Sequence, residues 1–192
     1  MVKKRKIILV TDGDTIAQKA VEIATKNIGG RCISRSAGNP TPLTGDEISQ
    51  LIKIAKYDPV VVMVDDIGHP GFGKGEKALK DILNNEYTEI LGIVAVASNT
   101  ENVNGVEVDF SIDYRGKVVP NAVDKYGIET DSKKLYGDTV DIINKYSVPL
   151  IVGIGDIGKM DGCDDCTIGA PIITKALQEI LNRTNKGGRD EN

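Results

Sequence analysis

The chain has no tryptophan, two phenylalanines and one histidine in 192 residues. So few rings leave no stacking platform for nucleic-acid bases. Lys and Arg number 24 against 28 Asp and Glu, a net charge of −4. A nucleic-acid binder would instead carry a basic excess or a basic face. The three cysteines, Cys32, Cys163 and Cys166, are too few for a disulfide framework and suit a reducing compartment. No apolar run approaches the roughly 20 residues that span a bilayer. After the charged Lys3-Lys4-Arg5-Lys6, the apolar run Ile7–Val10 is cut off by Thr11 and Asp12. No secretory signal core follows, and the basic cluster reads as a solvated surface. Neither a Gly-x-Ser-x-Gly elbow nor a Ser-His-Asp order is present. What remains, 40% hydrophobic and 27% charged, is an ordinary globular composition. A chain of this length buries roughly two-thirds of its unfolded surface, so it needs neither disulfide nor metal to fold.

Short apolar runs alternate with amphipathic ones. Ile7–Val10, Val60–Val64, Ile90–Ala97 and Leu150–Ile154 read as strands buried on both faces, with a weaker strand at Arg31–Ser36. Between them lie helical segments. Thr15–Ile28 places Ile16, Ala20 and Ile23 on one side and ends at Gly29-Gly30. Thr44-Gly-Asp-Glu47 has capping-box spacing ahead of Ile48, Leu51, Ile52 and Ala55. Ala78, Leu79, Ile82 and Leu83 mark the next helix, Asp138–Tyr146 a short one, and Gly169–Arg183 the last. Val106, Val108, Phe110, Ile112 and Tyr114 alternate with Glu107, Asp109, Ser111 and Asp113, and Arg115-Gly116 turns into Lys117–Val119. That pattern predicts a half-buried strand and an antiparallel hairpin. The fold expected is a three-layer, doubly wound α/β domain over residues 1–183. It has about five parallel strands and an inserted antiparallel hairpin. Residues 184–192 are expected to be a polar, disordered tail. An exposed edge at Val106–Tyr114 would support a homodimer.

One internal echo stands out. Pro59–Gly68 matches Pro149–Gly158 at a constant offset, sharing Asp-Ile-Gly where each strand ends. Two equivalent strand-to-loop corners follow from it, and the period is too long for a solenoid.

Ligands of an open parallel sheet bind beyond the carboxyl ends of its strands. Here those ends run into Asp12-Gly13-Asp14, Asp65-Asp66 and Gly155-Asp156. Carboxylates on one rim repel one another and invite a hard divalent cation. Asp12, Asp14, Asp65, Asp66 and Asp156 are thus candidate ligands for calcium or magnesium. The competing reading gives each Asp a local task, capping a helix or closing a turn. Gly68-His69-Pro70-Gly71-Phe72-Gly73-Lys74-Gly75 precedes a helix, where glycine N–H groups and Lys74 could cradle an anion. It is neither a Walker motif nor a dinucleotide fingerprint, and a lid or flexible connector is the plainer reading. The binding rim therefore comprises Asp12, Gly13, Asp14, Asp66, Gly68, Lys74, Gly155 and Asp156. Cys163-Asp-Asp-Cys166 is a lone C-x-x-C; zinc would need Cys32 and His69 as well. No catalytic set is assembled.

Several stretches together carry a family resemblance: Lys6-Ile-Ile-Leu-Val-Thr-Asp-Gly-Asp14, Gly29-Gly-Arg-Cys-Ile-Ser34, Ser36-Ala-Gly-Asn-Pro40, Asp58-Pro59 with Asp65-Asp66, Gly92 to Ser98, and Ile151-Val-Gly-Ile-Gly-Asp-Ile-Gly-Lys-Met160. The chain resembles the soluble stage V sporulation protein AE family of endospore-forming Firmicutes, from Lys4 to about Arg183. The Cys163–Cys166 segment falls where that family is variable. The resemblance implies a spore protein encoded with membrane proteins that move dipicolinic acid, with calcium, into the forespore and out at germination. It implies peripheral association with the spore inner membrane through those partners, and it brings no established catalytic residues. Three roles are compatible with this: an accessory binding module, a sensor of calcium or the pyridine dicarboxylate, and a divalent-metal-dependent enzyme acting on a phosphate or nucleotide.

Overall fold

A computed structural model describes residues 4–67, 72–100 and 103–187. In chain order the elements are β1 (Arg5–Val10), α1 (Thr15–Asn27), β2 (Arg31–Cys32), α2 (Gly45–Lys53), β3 (Val60–Met63), α3 (Lys74–Leu83), β4 (Thr88–Val96), β5 (Val106–Glu107), β6 (Phe110–Ile112), β7 (Val118–Val119), β8 (Lys134–Leu135), β9 (Ile151–Ile154) and α4 (Pro171–Gly187). The main sheet has seven strands in the order β2-β3-β1-β4-β9-β6-β7; β5 and β8 form a separate pair. All neighbours in the main sheet are parallel except β6 and β7, which form the expected antiparallel hairpin.

The apolar runs become strands because both of their faces are covered. Alternate side chains point to opposite sides of a strand. Ile8, Val10, Val61, Met63, Val94, Val96, Val152 and Ile154 enter one core, under α1 and α4. Ile7, Leu9, Val60, Val62, Ile93 and Ala95 enter the other, under α2 and α3. Full burial of each of the Val, Leu, Ile and Met side chains among them contributes ~1.5–3 kcal/mol. The capping box of α2 forms as expected: the Glu47 N–H donates to Thr44 Oγ1 at 3.3 Å, and the Thr44 N–H donates to Glu47 Oε2 at 2.8 Å.

Several details differ from the sequence reading. The inward face of α1 is Ala17, Ala20, Val21 and Ala24, whereas Ile16 is 53% exposed. Ile16 lies in the first turn, beyond the rim of the sheet, close to Gly158. The strand expected over Val106–Tyr114 splits at Asp109. Before it, Val106 pairs with Leu135 and the Val108 N–H donates to the Lys133 carbonyl. At it, the Asp109 N–H donates to the Ile151 carbonyl and Asp109 Oδ2 accepts the Ile151 N–H at 2.7 Å, so the chain changes partner to β9. As a result β6 adds a further parallel strand and is no sheet edge; β7 covers it. Residues 31–36 give only two residues of strand before a 3-10 turn. The helix expected over Asp138–Tyr146 is a 3-10 turn, Asp141–Lys145. Side chains pin that turn to the segment before β5: Asp141 accepts the N–H groups of Asn104 and Gly105, and Asn144 donates to the Gly105 carbonyl. Finally, α4 runs past Arg183 to Gly187, and Thr184 Oγ1 donates to the Ile180 carbonyl.

A candidate acidic cleft at the sheet's switch point

The chain leaves β1 towards α1, on one face of the sheet, and leaves β3 towards α3, on the other. Neighbouring strands whose exits part in this way open a crevice between their carboxyl ends. The crevice here is a cleft of about 250 Å³ lined by Thr11, Asp12, Asp14, Asn39, Asp65, Ile67, Val96, Ser98, Asn99, Thr100, Asp138 and Asp156.

Each carboxylate reaches the cleft by a different route. Asp12 follows β1 directly, and its Oδ1 accepts the Asp14 N–H at 3.3 Å. Asp14 is the N-cap of α1, with Oδ1 accepting from the Ile16 and Ala17 N–H groups at 2.7 and 2.8 Å. Asp65 is buried; its Oδ2 accepts the Gly13 N–H at 3.2 Å and its Oδ1 the Asp66 N–H at 2.9 Å. Its own N–H donates to Thr41 Oγ1 at 2.8 Å, tying β3 to the 39–41 loop. Gly13 fits closely where it stands: a Cβ there would lie 3.1 Å from the Gly38 carbonyl oxygen, which would have to give by a few tenths of an ångström. Asp156 leaves β9, and its Oδ1 accepts the Gly158 N–H at 2.9 Å.

The electrostatics follow from this gathering. Burial, then the charges of Asp14, Asp65 and Asp156, hold the Asp12 carboxyl well above its ordinary range. Burial, then Asp138, pushes Asp65 up to about 7, against the pull of its hydrogen bonds. Asp156 is raised too, chiefly by burial, with Lys159 opposing.

Other predicted residues lie elsewhere. Asp66 is buried and turns from the cleft to α3, its Oδ1 and Oδ2 accepting the Gly75 and Glu76 N–H groups at 2.7 Å each. It serves as a remote cap for that helix and does not line the cleft with the other expected ligands. The echo of β3 and β9 therefore holds for their geometry but not for the two aspartates' tasks. Lys74 is exposed on the first turn of α3 and lines no part of the cleft. Gly155 packs behind the rim, where a Cβ would meet the Gly127 nitrogen at 2.6 Å and Met160 Sδ at 2.7 Å. Gly68, His69, Pro70 and Gly71 lie outside the described residues. Among the described residues, no three Asp, Glu, Cys or His side chains are arranged to hold a metal ion by themselves. Cys163 and Cys166 are free, and the two residues between them do structural work. Asp165 accepts the Thr167 N–H in a 3-10 turn, and Asp164 caps α4 from full burial.

A stage V sporulation protein AE1 family model matches residues 6–184. The chain belongs to that family. No curated protein and no solved structure matches it. Membership in the stage V sporulation protein AE1 family gives the chain a sporulation-related role. Among the described residues, no helix of this family member is long and apolar enough to cross a membrane.

In this family member, Asp138, Ser98, Asn99, Thr100 and Asn39 are cleft residues that the sequence did not single out. The Asp138 N–H donates to Ser98 Oγ at 3.0 Å and the Ser98 N–H to the Tyr136 carbonyl at 3.1 Å, so the 136–138 loop is clamped on the end of β4. Gly137 permits this: any Cβ would run into the Val96 carbonyl oxygen. Gly137→Ala is therefore expected to push the loop off β4, destabilising the fold by ~1–3 kcal/mol through overpacking. Denaturant melts would measure it; an unchanged midpoint would show that the contact yields without cost.

Proposed function

We propose that the protein is an accessory binding module of the spore machinery that moves dipicolinic acid with calcium. It works at the spore inner membrane alongside the membrane proteins of its operon, and its cleft receives the calcium chelate. The observation that carries this reading is the meeting of Asp12, Asp14, Asp65, Asp138 and Asp156 on one cleft.

Calcium takes ~6–8 oxygen ligands at ~2.3–2.6 Å. These carboxylates do not close into such a shell unaided. A chelate of calcium with pyridine-2,6-dicarboxylate brings a ring nitrogen and two carboxylate oxygens of its own, so one or two carboxylates from the protein, together with water, complete the shell. Asn39, Ser98, Asn99 and Thr100 supply neutral groups for the dicarboxylate's outer oxygens. Arrival of the cation also opposes the burial and the neighbouring charges that raise Asp12 and Asp65, so binding favours release of the protons these carboxyls carry.

Isothermal titration tests this. Calcium alone should bind weakly, and calcium with an equal amount of the dicarboxylate should saturate the protein at micromolar concentration. Asp12→Asn and Asp156→Asn should each weaken the chelate by roughly tenfold. The measured enthalpy should vary with the buffer's ionisation enthalpy. Absence of chelate binding would overturn the reading. Turnover of a phosphate ester or nucleotide that disappears in the same variants would replace it with the divalent-metal-dependent enzyme. A pull-down against the operon's membrane proteins tests the docking half, which fails if no partner is retained at micromolar concentration.

A further inference from the structure

A second concavity lies at the far edge of the sheet, away from the acidic cleft. It runs across β2 as two adjoining hollows, of about 350 and 480 Å³, that share Arg31, Cys32, Ser34 and Tyr57. Its apolar floor includes Leu51 and the exposed Ile54 and Tyr57, which are 77% and 61% exposed. Its walls carry Arg31, Arg35 and Lys56 on one side and Lys26 on the other, against the single acid Glu22. None of these four cations makes an ion pair among the described residues. A chain with net charge −4 thus concentrates unpaired positive charge around one apolar groove.

The backbone inside the groove is also unspent. β2 is the terminal strand, so only one of its sides is paired. The N–H groups of Arg31 and Ile33 donate to the carbonyls of Pro59, just before β3, and of Val61 on β3, both at 2.9 Å. Alternation along the strand turns the N–H and C=O of Cys32 the other way, towards the groove. An open edge of this kind accepts an added strand, with side-chain pockets on either side giving selectivity.

We infer that this groove docks an extended, acidic segment of a partner protein laid along the free edge of β2. Its apolar side chains rest on Leu51, Ile54 and Tyr57, and its carboxylates meet Arg31, Arg35 and Lys56. The groove is concave and offers backbone hydrogen bonds, both of which suit a polypeptide better than a flat lipid surface. The inference rests on the reading of the protein as a docking module and names the surface used, one that is separate from the cleft.

Fluorescence anisotropy with short labelled peptides tests it. One set alternates Glu with Val or Leu, and a control set carries Lys in place of Glu. The acidic peptides should bind at micromolar concentration and weaken as salt is raised. Arg31→Glu and Arg35→Glu, both at exposed positions, should each cost roughly tenfold. On binding, the Cys32 amide should gain protection from hydrogen exchange. The chelate titration of the cleft should be unchanged in these variants, so failure here is distinguishable from failure of the cleft. The inference is overturned if acidic and basic peptides bind alike, or if neither binds. It is likewise overturned if the protein is retained instead on phosphatidylglycerol-rich vesicles, with retention lost in Arg31→Glu.

Discussion

Replacing Asp164 with alanine should lower stability by ~2–4 kcal/mol, because it strands two buried N–H groups at the start of α4. Asp164 is fully buried, and its Oδ1 accepts the Ile172 N–H at 2.7 Å, while Oδ2 accepts the Ile173 N–H at 3.0 Å. That helix supplies Ile172, Ile173, Ala176, Leu177 and Ile180 to one of the two cores, so fraying at its start loosens apolar packing as well. At ~2–4 °C per kcal/mol for a domain of this size, the melting temperature should fall by several degrees. Asp164→Asn retains an acceptor where Oδ1 stands and also reaches Ile173 from it. Its cost should stay below ~1 kcal/mol. Urea unfolding of the two variants decides the matter. Equal losses would mean that packing, and not the cap, is what Asp164 supplies.

The second large effect is on the pH dependence of stability. Burial pushes both Asp65 and Asp164 up to about 7 in the folded protein, from 3.8 in an unconstrained chain. A carboxyl raised on folding binds its proton more tightly in the native state. Its contribution is therefore complete below the unfolded value and is lost as pH rises through the folded one. Each such group changes stability by up to ~1.4 kcal/mol per pH unit inside that window. Asp12, Asp66 and Asp156 are raised as well, so they act in the same direction. Urea midpoints should fall steadily from pH 5 to pH 7, with a total loss on the order of 3 kcal/mol or more. Asp65→Asn and Asp164→Asn should each flatten that slope. Asp65→Asn should also cost ~1 kcal/mol at pH 5, since an amide oxygen serves only one of the two N–H groups that Asp65 accepts. Stability that rises between pH 5 and pH 7 would contradict the burial of these carboxyls.

The strands were legible because a strand covered on both faces must be apolar at every position, as Ile7–Val10 and Val60–Met63 are. The hairpin and the α2 cap were legible because their signals are local: Arg115-Gly116 in one case, Thr44 and Glu47 in the other. The register of α1 was not, since Ile16 overhangs the sheet and only the sheet's extent reveals that. Three of the acidic corners were placed correctly on one rim because parallel strands must end on the same side. Asp66 was misplaced because its partners, Gly75 and Glu76, are brought to it by the fold of the intervening chain. Asp138 escaped notice because the contact that delivers it, Gly137 against Val96, joins residues far apart in sequence.

From its order of apolar and amphipathic runs alone, the chain determined a doubly wound sheet with carboxylates at the strand ends. Which of those carboxylates share a cleft was decided only in three dimensions. An aspartate next to a strand end can cap a helix, close a turn or face solvent, at nearly equal local cost. The choice falls to whichever N–H groups and neighbouring charges the packed helices bring within reach.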